Sequence, residues 1–70
     1  MEYDTTKMVE GVEFAVVEDN GETRYHLLFP DGTIDDTELA KVYADGDFTM
    51  AITQGGVKVM VDDYGFHYDW

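Results

Sequence analysis

The side chains that could move a proton or hold a metal are few in kind: two histidines, His26 and His67, and sixteen carboxylates, in a 70-residue chain without serine or cysteine. With those two commonest nucleophiles absent, and no processing signal that would make a threonine N-terminal, covalent catalysis is not expected. A histidine acting as base or ligand needs partners set around it. His26 falls on the outer face of a strand-like run. His67 lies in an aromatic stretch where only Asp69 is close in sequence, so both read as surface or packing residues.

The acids admit two more chemical readings. "DGTIDDTE" (31 to 38) and "DGD" (45 to 47) suggest calcium, but neither has the spaced oxygens, sixth-position glycine and twelfth-position glutamate of an EF-hand loop. The pairs Asp35-Asp36 and Asp62-Asp63 could share a proton or flank a sugar, which requires one acid in an apolar pocket and a second placed to act with it. No such pattern surrounds them. The expectation is a protein that is not an enzyme and has no metal or cofactor.

What the acids do supply is charge. Sixteen acids against four basic residues give a net charge of −12 and a pI near 4.1. That charge repels phosphate backbones and anionic membranes, so direct contact with nucleic acid or lipid is not expected. Turns and caps account for Asp31, Asp35, Glu38, Asp19 and Asp45. Glu10, Glu13, Glu18, Glu22, Asp36, Asp47, Asp62 and Asp63 are among those that remain. Their mutual repulsion costs stability that a small domain can hardly spare, which points to a function or an environment that requires them.

The elements that must carry these acids begin with "VEFAVVEDNGETRYHLLF", residues 12 to 29, centred on Asn20-Gly21, the best dipeptide for a two-residue type I′ turn. Counting outward sets Val16 opposite Tyr25, Phe14 opposite Leu27 and Val12 opposite Phe29, all on one face. Glu13, Ala15 and Val17, with Arg24, His26 and Leu28, form the other. A second ribbon, 47 to 62, has Gly55-Gly56 at its centre, and the same counting gathers Phe48, Met50, Ile52, Val57, Val59 and Val61 on one face. Between the ribbons, Phe29-Pro30-Asp31-Gly32 reads as a turn. A short helix is expected from an Asp35 N-cap to Gly46, with Glu38 completing a capping box, Ile34 and Leu39 as a staple, and an apolar stripe of Leu39, Val42 and Tyr43.

The predicted fold is thus α+β, a single domain over residues 1 to 70 in the order ββαββ, with residues 1 to 7 frayed. One helix cannot cover four strands. The aromatic tail at 64 to 70, a sheet curled towards a barrel, or a partner must complete the cover. The start resembles no secretory signal, no segment reaches the length of a membrane helix, and the lack of cysteine favours a reducing, cytoplasmic setting.

Three functions fit. The leading one is a non-catalytic inhibitor that presents its acidic face to a basic groove of a nucleic-acid-binding protein in place of nucleic acid. A compact domain of this length is about 28 Å across, a length of B-DNA carrying roughly 17 phosphates. In size and charge the chain is similar to small viral inhibitors of host restriction, CRISPR and repair nucleases, a likeness of physical type carried by no motif. The expected contact residues are Asp31, Asp35, Asp36, Glu38, Asp45 and Asp47, with Glu18, Asp19 and Glu22 at the hairpin tip. The alternatives are a domain adapted to molar salt and a dimerising or assembly module that uses its aromatic tail or a sheet edge.

Overall fold

A computed structural model of the chain describes residues 3–67. These residues form one antiparallel meander in which every strand pairs with the next: β1 (Thr5–Val9), β2 (Val12–Asp19), β3 (Glu22–Leu28), β4 (Leu39–Asp45), β5 (Phe48–Thr53), β6 (Lys58–Asp62) and β7 (Gly65–His67). The architecture is all-β, with no helix among the described residues, so the expected ββαββ order and its α+β class are incorrect.

The β2–β3 hairpin follows from its turn. Asn20 and Gly21 have φ of 53° and 82°, the two positive values a type I′ loop needs, and the register runs from Asp19 opposite Glu22 to Glu13 opposite Leu28. The β1–β2 hairpin has the same geometry at Glu10 (φ 48°) and Gly11 (φ 82°), although glutamate has no special tolerance for that conformation.

The error at 35 to 45 has a specific cause. β4 contains a bulge between Leu39 and Lys41: Leu39 stands opposite Thr53, but Lys41 stands opposite Ile52. The extra residue lets Leu39 and Val42, three apart, turn to the same face, which reproduces a helical spacing on an extended chain. The local cap still forms, as the Thr37 N–H donates to Asp35 Oδ1 at 2.8 Å, yet no helix follows it. Extended, β4 satisfies the backbone groups that β5 would otherwise leave unpaired and joins β3 at Tyr25–Leu39.

A second difference is one residue in size. β5 and β6 are joined by Gln54-Gly55-Gly56, with Thr53 and Val57 closing the loop and Gly56 at φ 86°, so the loop has three residues and not two. Ala51 pairs with Val59 and Thr49 with Val61. Since side chains alternate with a period of two, this slip turns β5 over. Thr49 and Ala51 face the core and Phe48 and Val57, expected inside, are exposed, while Met50, also expected inside, is buried on the other face of β5.

The core consists of Phe14, Leu27, Leu39 and Val59, all fully buried, with Val9, Val12, Val42, Ala51 and Val61 around them. Tyr25, Phe29 and Phe66 pack at its margin. No single layer covers this face. The sheet instead curls into a half-barrel until the Thr49 hydroxyl on β5 donates to the Val9 carbonyl at the end of β1, a buried bond of 2.9 Å between residues 40 apart. The aromatic tail divides: Phe66 packs inward, Tyr64 is 92% exposed, and Tyr68 and Trp70 lie outside the described residues.

β3 and β4 meet along a thin seam. Their ladder holds only Tyr25 with Leu39, supplemented by an isolated bridge between Leu28 and Ile34. Residues 35 to 38 are tied across it by the Asp35 N–H donating to the Leu27 carbonyl at 2.9 Å, and by the buried His26 ring, whose Nδ1–H donates to the Asp35 carbonyl at 3.0 Å.

Candidate functional site

In an antiparallel meander alternate turns fall at the same end of the sheet. The β2–β3, β4–β5 and β6–β7 turns therefore share one end, with neighbouring turns two strands, or roughly 10 Å, apart. Every one carries acids: Glu18, Asp19 and Glu22 on the first, Asp45 and Asp47 on the second, Asp62 and Asp63 on the third. Asp45 and Asp47 thus belong with the hairpin tip at 18 to 22, and not with Asp31, which sits at the opposite end beside the β3–β4 connection.

The nine expected contact residues differ in how far they are free. Asp19, Glu22 and Glu38 surround Arg24, at 3.5, 3.1 and 3.4 Å from its guanidinium nitrogens. One cation between three anions leaves that group negative. Asp31 accepts from the Thr33 hydroxyl at 2.6 Å and from its N–H at 2.9 Å, and these bonds, the hydroxyl first, hold its carboxyl below the usual range. Asp35 is half-buried and caps Thr37. Glu18, Asp36, Asp45 and Asp47 are exposed, and among the described residues they enter no ion pair.

Little neutralises this surface. Among the described residues every ion pair runs to Arg24 or His67, and none to a lysine. Lys7 lies over the Tyr25 ring at 5.6 Å and Lys41 over the Tyr43 ring at 5.3 Å, so their charges sit on aromatic faces. His67 Nε2 is 2.7 Å from Asp62 Oδ2, and the Tyr64 N–H donates to Asp62 Oδ1 at 2.8 Å. Partial burial pushes the Asp62 carboxyl up, but the bonds from Tyr64 and His67 outweigh it and the group ionises below the usual range. No three acids or histidines among the described residues converge as a metal ligand set.

One feature of the surface has no local signal in the sequence. The curl carries the β1–β2 corner over the ends of β5 and β6, opening a cleft of about 440 Å³ with Glu10, Asp47, Asp62 and Asp63 at its rim and Val12 and Val61 in its floor. Glu10 and Asp63 come from turns far apart in sequence, so no local signal could pair them. Comparison with protein families, curated proteins and solved structures finds no match.

Proposed function

We propose that this is a non-catalytic binding protein whose acidic surface occupies the basic groove of a nucleic-acid-binding protein, displacing nucleic acid as small viral counter-defence inhibitors do, in a reducing, cytoplasmic setting. The observation that carries this reading is the row of turns bearing carboxylates at one end of the sheet, with no lysine paired to any of them among the described residues. The longest dimension is 33 Å, a length over which B-DNA carries roughly 19 phosphates, and a net charge of −12 is within a factor of two of that. Long-range attraction would make association fast and strongly weakened by salt.

The test is capture of nucleic-acid-binding proteins on the immobilised chain, with duplex DNA as competitor. Duplex DNA and 0.5 M sodium chloride should each release most of the bound protein, and the triple variant Asp45→Lys, Asp47→Lys, Glu22→Lys should retain at least about tenfold less, the effect of roughly 1.4 kcal/mol. Capture that ignores both DNA and charge reversal rules the reading out. A melting curve at 10 mM potassium chloride separates it from adaptation to high salt: an inhibitor stays cooperatively folded there, whereas a salt-adapted domain unfolds.

A further inference from the structure

We infer that the cleft between the β1–β2 corner and β5–β6 receives an arginine side chain of the partner. This rests on the acidic-inhibitor reading and assigns one contact within it. The cleft joins three features. Its rim carries Glu10, Asp47 and Asp63, all exposed and outside any ion pair among the described residues. Its wall includes Phe48, a large aromatic ring left 59% exposed beside those acids. Its floor is apolar, formed by Val12 and Val61, with Met60 half-buried at the side. No lysine or arginine lines it.

An arginine fits each of the three. Its planar guanidinium bonds carboxylates through a fork of donors and stacks on an aromatic face, and its methylene stem lies along apolar surface. A metal ion requires oxygens converging on one point, and among the described residues none converge. A lysine offers a strongly hydrated point charge that gains less from Phe48. Asp62 is already held by Tyr64 and His67, so it shapes the rim without serving as a free acceptor. The 440 Å³ volume is within the range of sites that enclose small ligands.

The experiment titrates isotope-labelled protein with N-acetyl-arginine methylamide and follows backbone amide shifts. Amides of Gly11, Asp47, Phe48 and Asp63 should shift saturably, and the lysine analogue should bind about threefold more weakly. Phe48→Leu and Asp47→Asn should each weaken the arginine probe about threefold, while Asp4→Asn, which lies outside the cleft, leaves it unchanged. Absence of saturable shifts at these amides, or an equal response to both analogues, overturns the inference. An oligo-arginine peptide separates the two levels: if it binds while the cleft amides stay still, the cleft is wrong and the inhibitor reading survives; if it fails to bind at all, both fall.

Discussion

Replacing Thr49 by valine keeps the shape of the side chain and removes the hydroxyl that ties β5 to the Val9 carbonyl. Thr49 is 3% exposed and the 2.9 Å bond is buried, so the carbonyl regains no water in exchange. Loss of such a bond costs about 1 to 2 kcal/mol. Unfolding entropy near 2.1 cal/mol/K per residue gives roughly 0.15 kcal/mol/K for 70 residues, which converts that loss into a Tm lowered by roughly 7 to 14 °C. Thermal melts by circular dichroism, with Thr6→Val on the exposed edge strand as control, measure it; the control should move by no more than about 0.5 kcal/mol. If Thr49→Val melts within about 2 °C of the parent, the bond does not hold the curl and the account of closure given above is wrong.

Four further outcomes follow from named contacts. Phe14→Ala empties the centre of the core and should cost about 3 to 5 kcal/mol, enough in so small a domain to populate the unfolded state in far-ultraviolet dichroism at 25 °C. Arg24→Met leaves Asp19, Glu22 and Glu38 to repel one another and should cost about 1 kcal/mol in 10 mM salt, shrinking in 1 M salt; a salt-independent loss would assign Arg24 a packing role instead. Asp31 and Asp62 ionise below their usual range when folded, so their stabilisation is present above about pH 4 and lost as the pH falls through their folded values. The urea midpoints of Asp62→Asn and the parent should therefore differ at pH 6 and draw together as the pH falls below about 4, and a gap that stays constant contradicts the Tyr64 and His67 bonds. Deleting Ala40 removes the β4 bulge and leaves Leu39 and Val42 two apart, on one face of a regular strand, so a cooperative urea transition should survive; its loss would show that the bulge itself is required.

The part of the fold legible in the chain was the part set by a turn residue with a strict backbone requirement. Asn20-Gly21 fixes the β2–β3 register, and the face holding Phe14 and Leu27 follows from it. Gly55-Gly56 allows loops of two or three residues, and the longer one reverses which side of β5 meets the core. Leu39 and Val42 carry a spacing that a helix and a bulged strand share, and only the unpaired edge of β5, with the Tyr25–Leu39 join to β3, decides between them. Of the site, the acids themselves were visible, as was the Asn20-Gly21 turn; the β4–β5 and β6–β7 turns were not, because Gly46 reads as the end of a helix and residues 64 to 70 as a tail. The grouping of the acids was not visible either, because it depends on which turns a meander places at one end and on how far the sheet curls.

The thin join between β3 and β4 divides the chain into β1–β3 and β4–β7, each internally well laddered. Local opening begins where backbone pairing is sparsest. Amides of the two halves should accordingly exchange with solvent hydrogen as separate cohorts, and residues 35 to 38 should exchange before either. A binder that touches both halves at once would act as a splint across this joint, slowing exchange in a segment it never contacts.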